Sequence, residues 1–163
     1  MEHALDQVVR VLVDLKGSVG SLTVYDDYAH HPTEIETTLR AANNRFDAEI
    51  IVIFQPHRYT RTRNLAEEFG PALKEADRLL VTDVYPAGED PIAGIDMQFL
   101  ERTIQPHRNG HVTAYKSENE KILNWVESQI EPHSDQVVFT MGAGNVVDLA
   151  EPILELERSR QRH

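Results

Sequence analysis

Two carboxylates, two phenols and two imidazoles fall within the seven residues Tyr25-Asp26-Asp27-Tyr28-Ala29-His30-His31, directly before Pro32-Thr33-Glu34. Groups of these types can move protons, accept hydrogen bonds from ribose hydroxyls, or hold a metal through oxygen and imidazole. The run stands where an apolar strand pattern gives way to a helical one, and strand-to-helix turns are where a parallel α/β sheet meets ligands. Asp27, at the last strand or first loop position, could accept from a ribose, as strand-end carboxylates do in nucleotide-binding folds. His30 and His57 could each donate to an anion, act as a general base or cap a helix. The bland reading of the whole run is a polar turn with a helix cap.

A second set of groups follows in Gln55-Pro56-His57-Arg58-Tyr59-Thr60-Arg61-Thr62-Arg63. The planar guanidinium fork matches carboxylates and phosphates, and Arg58 and Arg61, three apart on a turn or first helical turn, can grip one anion together. The competing reading pairs them on the surface with Glu67 or Glu68. Gly142-Ala143-Gly144-Asn145 lacks a third glycine and follows the last strand, so the dinucleotide fingerprint is not met, and Asn145 reads as a helix N-cap. No G-x-x-x-x-G-K-[ST] loop occurs, so the chain carries no triphosphate cradle of that type.

These groups need elements to hold them. Met1 to Gln7 has no clear period; Val8 to Leu15 is strand-like, Gly17 to Gly20 reads as a turn, and Leu22 to Tyr25 resumes the strand. Pro32 suits a first helical turn, Thr33 with Glu36 has capping-box spacing, Ile35, Leu39 and Ala42 mark one face, and Asn43-Asn44 ends the helix. Ile50 to Phe54 is a continuous apolar run suited to a strand buried on both faces. A helix through Leu65, Phe69, Leu73 and Ala76 is expected to break at Gly70-Pro71. Then come a strand at Leu79 to Thr82, an ordered loop at Val84 to Ile95, a helix at Met97 to Ile104 and a strand at His111 to Tyr115. Ser117 with Glu120 predicts a capping box before a helix through Ile122, Leu123 and Val126. A last strand at Gln136 to Met141 precedes a helix from about Val146 to Arg158, bent at Pro152. The second Gln-Pro-His-Arg, at 105, stands in an unlike context and reads as chance.

Alternating strands and helices imply right-handed crossovers, hence an α/β, Rossmann-like three-layer sandwich: a mainly parallel sheet of about six strands with helices on both faces. Its carboxyl ends would share one edge, bringing Asp27, Arg58, Asp83 and Gly142 together. The 163 residues, 40% hydrophobic and 26% charged, suit one domain with a real core, 15–163, after a short extension at 1–14. With a net charge of −11, no basic field is available for nucleic acid or an anionic membrane. The absence of cysteine excludes thiolate metal sites and disulfides. No apolar run or leader-like start is visible, which predicts a soluble, cytoplasmic protein.

Asp26 to Glu34, Phe54 to Arg63, Asp83-Val84-Tyr85-Pro86-Ala87-Gly88-Glu89 and Gly142 to Asn145, in this order, resemble the carboxy-terminal domain of the Mur ligase family from about Leu15 to the end. Asp27-Tyr28-Ala29-His30 resembles the whole family; the histidine pair and Gln55-Pro56-His57-Arg58 point to its alanine-adding member. The resemblance implies an ATP-dependent amide ligase of peptidoglycan synthesis that joins L-alanine to UDP-N-acetylmuramate through an acyl phosphate. It implies three domains, the first binding the UDP-sugar, the central one carrying the P-loop and Mg2+ ligands, the third closing over the site. This chain matches the third, so the N-terminal and central domains are missing, ATP and Mg2+ would be held mainly by the absent central domain, and no metal site and no independent catalysis are expected here. Carried over by motif, Asp27 and Tyr28 would contact the nucleotide. His30, His57, Arg58 and Arg61 would bind the alanine carboxylate and nearby muramoyl portion, and Asn145 would touch substrate. Two other readings are a freestanding nucleotide- or anion-binding Rossmann-like module, and a metal-dependent hydrolase built on Asp26, Asp27, His30 and His31.

Overall fold

The computed structural model describes residues 13–163, so the part of the first strand reading that covers residues 8–12 lies outside the described residues. Among the described residues, six strands form one sheet in the order β1 (Val13–Val19), β2 (Leu22–Asp27), β6 (Gln136–Met141), β3 (Glu49–Phe54), β4 (Arg78–Val81), β5 (Val112–Ala114). Only β1 runs antiparallel, folding back on β2 through a turn at Gly20-Ser21; Gly17 lies inside β1, where the register slips, and not in the turn expected there. The parallel register sets the strand ends level. Asp27 and Phe54 both stand opposite Met141, Phe54 opposite Val81, and Val81 opposite Ala114.

The apolar runs explain the layers. In β3, Ile50, Val52 and Phe54 point to one face and Ile51 and Ile53 to the other, all without solvent exposure. The first face is covered by α1 (Pro32–Arg45), α3 (Ala66–Leu73) and α4 (Met97–Ile104), the second by α5 (Asn119–Gln129) and α6 (Ala150–Gln161). Connections leaving β2, β3 and β4 therefore go to one face, and those leaving β5 and β6 to the other. The crevice at such a reversal, on the carboxyl edge, lies where β6 sits between β2 and β3. None of the helices is long and apolar enough to cross a membrane, among the described residues.

Local chemistry departs from expectation at four places. The α1 cap is His31, not Thr33: its Nδ1 accepts from the Thr33 N–H at 3.2 Å, and Glu34 reaches back to the His31 N–H at 3.2 Å. The helical stretch after the arginine motif starts at Tyr59 as α2 (Tyr59–Asn64) and breaks at Leu65, while Gly70-Pro71 lies within α3. Gly70 is there for contact, since a Cβ would come within 2.3 Å of the His107 ring, which belongs to a 3-10 turn at Gln105–His107. Ser117 does not cap α5; its N–H and hydroxyl both donate to Asp83 Oδ1, joining the β4 and β5 ends. The final helix is a 3-10 turn, Val146–Leu149, followed by α6, so the change of path precedes Pro152.

Because His31 supplies an N-cap acceptor, His31→Ala should lower the unfolding free energy by about 1 kcal/mol. Urea titration of the chain measures it, and a loss within error would show that the imidazole does not hold the helix end.

Candidate functional site

The sheet's carboxyl edge carries a ledge of rings. Tyr28 meets His30 edge-on at 5.5 Å between centroids, His30 lies 5.6 Å from His57, and His57 stacks on Tyr85 at 5.7 Å and 11°. Four strand ends build it: β2 supplies Tyr28 and His30, β3 supplies His57, β4 supplies Tyr85, and β6 brings Asn145. The backbone ties them too. Arg58 N–H donates to Tyr85 C=O and Tyr85 N–H to Pro56 C=O, both at 2.8 Å, so the loops after β3 and β4 continue pairing beyond the strands.

Hydrogen-bond chemistry fixes which ring nitrogens are left for a ligand. Arg61 Nη1 lies 2.9 Å from His57 Nδ1, and a guanidinium only donates, so Nδ1 accepts and His57 keeps its N–H on Nε2. Burial first, then the Arg61, His30 and Arg58 charges, hold the His57 imidazole below its ordinary pKa. His57 is thus a neutral donor and not a cation for an anion. His30 is wired the other way: Nδ1 lies 3.1 Å from the Tyr28 carbonyl, which only accepts, so Nδ1 carries the proton and Nε2 remains open.

Arg58 and Arg61 stand at the N-cap and in the first turn of α2. Among the described residues neither forms an ion pair, so the surface pairing with Glu67 or Glu68 does not occur. Arg58 is exposed and its backbone sits at φ 68°, ψ 137°, a region L residues rarely occupy. It is held there by the Tyr85 carbonyl on one side and on the other by Thr62, whose N–H and hydroxyl bond the Arg58 carbonyl at 3.1 and 2.8 Å. With no side-chain cap of its own, α2 is capped by Glu89, which accepts from the Thr60 N–H at 3.2 Å and hydroxyl at 2.6 Å.

Asp27 departs from the expected surface carboxylate. It is fully buried; Oδ1 accepts from the Ala29 N–H at 2.9 Å, an Asx turn that swings Tyr28 outward to 56% exposure, and Oδ2 has no hydrogen-bond partner. Burial pushes its carboxyl up to about 6, against the Ala29 amide and the neighbouring Thr38 hydroxyl, which pull it down. Asp26 faces elsewhere, its Oδ1 taking the Thr140 hydroxyl at 2.7 Å. With Asp27 buried and His31 spent on α1, the hydrolase quartet is taken apart, and no three acidic or imidazole side chains come together to hold a metal among the described residues.

Asn145 is exposed at the N-cap position of the 3-10 turn, yet its side chain caps nothing; Oδ1 accepts from Gln55 Nε2 at 2.8 Å. Gly144 has to be glycine, since a Cβ there would lie 2.6 Å from both Gln55 Oε1 and the Tyr85 ring. The sequence reading did not single out Gln55, Tyr85 and Glu89 as site residues. The available signal was position: Gln55 directly follows five consecutive apolar residues, and Tyr85 and Glu89 stand in the loop after β4.

Residues 13–144 match the family model described as Mur ligase, glutamate ligase domain. The UDP-N-acetylmuramate--L-alanine ligase of Geotalea daltonii is 43% identical over 141 residues, 86% of this chain and 30% of that protein. The ligase of the same name from Desulforapulum autotrophicum is 42% identical over 159 residues, 96% of this chain and 34% of the relative. The solved UDP-N-acetylmuramate-alanine ligase from Thermotoga maritima superposes with a TM-score of 0.62 at 28% identity, covering 85% of this chain and 27% of that one. The chain thus spans about a third of the length of the curated relatives it matches.

Two stability outcomes follow from the geometry. Arg58→Gly and Arg58→Ala both lose the guanidinium, but only glycine relaxes the backbone, so the glycine variant should be the more stable by about 1 kcal/mol; equal urea midpoints would show the backbone unstrained. Asp27 has a raised folded value, so the native state binds the extra proton, and the contribution is present below the ordinary carboxylate value near 3.8 and lost as pH rises through about 6. Asp27→Asn should therefore be more stable than the parent at pH 7.5, by up to about 3 kcal/mol, with the gap closing towards pH 4. A gap independent of pH would refute the titration.

Proposed function

The chain belongs to the Mur ligase family, as its glutamate ligase domain, and from that premise we propose that it is the closing domain of a ligase joining L-alanine to UDP-N-acetylmuramate in the cytoplasm. The observation that carries this reading is the ledge itself: two guanidiniums in no ion pair, with Glu89 the carboxylate whose charge acts on Arg58, and two imidazoles with fixed, opposite hydrogen-bonding polarity, on one sheet edge of an acidic chain.

In this reading ATP phosphorylates the muramoyl carboxylate, the alanine nitrogen attacks the acyl carbon, and phosphate leaves as the amide forms. Arg58 and Arg61 hold the alanine carboxylate and nearby muramoyl oxygens, with the Nε2–H of His57 as a neutral third donor. Preorganised donors of this kind stabilise charge without the reorganisation that water would need. His30 offers its open Nε2 to the incoming substrate. The exposed Tyr28 ring meets the nucleotide, and Asp27 acts on it indirectly by holding the turn that presents it. Mg2+ would supply charge neutralisation at the transferring phosphate, held by the central domain that the family resemblance implies.

Tyr28, Arg58 and Asn145 stand exposed on the ledge. Beside it, the hollow between Gln55, Thr82, Ser117 and Asn145 is about 60 Å³, room for a few water molecules and far below a nucleotide. In this reading a second surface closes over the ledge to exclude the water that would hydrolyse an acyl phosphate.

The chain alone should release phosphate no faster than the blank with ATP, Mg2+, UDP-N-acetylmuramate and L-alanine. In the full-length ligase that contains it, Arg58→Lys keeps the charge but loses the fork, and should raise the KM for alanine by about one to two orders of magnitude with a smaller effect on ATP. Tight ADP binding by the chain alone, with alanine kinetics untouched by Arg58→Lys, would favour the freestanding module instead.

A further inference from the structure

Gln55 lies 3% exposed at the end of β3 and touches two partners of opposite character. Its Oε1 accepts from the Val146 backbone N–H at 3.1 Å, and its Nε2 donates to Asn145 Oδ1 at 2.8 Å. A backbone N–H can only donate, so the Gln55 carboxamide has one permitted orientation, oxygen towards Val146. That forces its NH2 towards Asn145, and the NH2 in turn forces the Asn145 carboxamide to turn its oxygen inward. What Asn145 has left for the exposed side is therefore its Nδ2–H2, two donors and no acceptor.

We infer that Gln55 is a positioning residue that sets the polarity of Asn145, making Asn145 a donor to a substrate oxygen of a carboxylate or phosphate. The inference rests on the reading that puts Asn145 among the substrate contacts, and adds to it the chemical sense of that contact. The packing supports a fixed relay. Gly144 lets Gln55 Oε1 and the Tyr85 ring close on the loop without a Cβ between them, and the Gln55 N–H donates to Met141 C=O at 2.9 Å, anchoring the residue to β6.

The polarity is testable on the chain itself by NMR of the side-chain amides. The Gln55 NH2 should exchange slowly with solvent and the Asn145 NH2 rapidly; the reverse order would overturn the assignment. In Gln55→Glu one carboxylate oxygen still accepts from Val146, the other becomes an acceptor, and Asn145 must rotate, so its NH2 should become protected. If the buried charge prevents folding, Asn145→Ala at the exposed end removes the acceptor instead, so the Gln55 NH2 should exchange faster than in the parent, and unchanged slow exchange in that variant would equally overturn it.

Kinetics of the full-length ligase test the ligand. Asn145→Ala should lower kcat/KM about tenfold and Asn145→Asp, which presents a repelling acceptor, about a hundredfold. The KM that rises identifies the molecule that supplies the oxygen: alanine for its carboxylate, ATP for a phosphate, UDP-N-acetylmuramate for its carboxylate or diphosphate. Asn145→Asp no worse than an impaired Asn145→Ala would refute the donor polarity alone. An unchanged Asn145→Ala would sink the donor role together with the placing of Asn145 at substrate.

Discussion

A strand buried on both faces has nowhere to put polar chemistry except at its ends. In β6, flanked by β2 and β3, every residue from Gln136 to Met141 is buried, and β3 is apolar throughout from Ile50 to Phe54. The parallel ladder then fixes where those ends lie, because a shift of one residue would turn each strand's side chains to the opposite face and unseat both cores. Level carboxyl ends are thus a consequence of core packing. His57, Tyr85, Asn145 and the Asp27 turn meet on one ledge because Val52, Val138 and Phe139 pack below it, although they are separated by more than a hundred residues of chain.

The ledge costs stability. Arg58 is kept in an unfavourable backbone conformation by pairing with Tyr85 and by the start of α2, and Asp27 keeps a carboxylate away from water with one oxygen unpartnered. Strain and buried charge survive where the surroundings over-determine them, and such features cluster at working sites. The rest of the fold offsets them: two continuous cores, a bridging Arg78 between Glu49 and Glu131, and helix ends closed by side chains from other loops.

The sequence made the sheet legible because its signals are strong and local. Gln136 to Met141 has the bounds its apolar run predicts, and β3 gains only Glu49. What it hid were contacts between distant loops. His31 is an unusual cap residue, so Thr33 drew the capping box; Ser117 read as a helix cap, but Asp83 takes both its donors; Glu89 caps a helix thirty residues before it. Gly70-Pro71 carries a breaker's signature, but the glycine admits the His107 ring and the break falls at Leu65. At the site, the motif residues were visible by type and spacing, whereas Asp27's burial and Gln55's relay depend on packing that no spacing encodes.

On the reading proposed above the ledge is half a site, and its donors bear on why. An anion clamp and an ATP-phosphate site on one rigid surface would leave several cationic groups facing each other without counter-ions before substrates bind. Dividing the donors between two bodies avoids this. Apart, each surface is hydrated, and water screens Arg58 and Arg61 from each other. Brought together, the same groups lose water and strengthen on the anions between them, so the attraction is greatest when substrates are in place. On that reading, the exposed Tyr28 and Arg58 at the rim of the ledge suit a surface completed by a second domain.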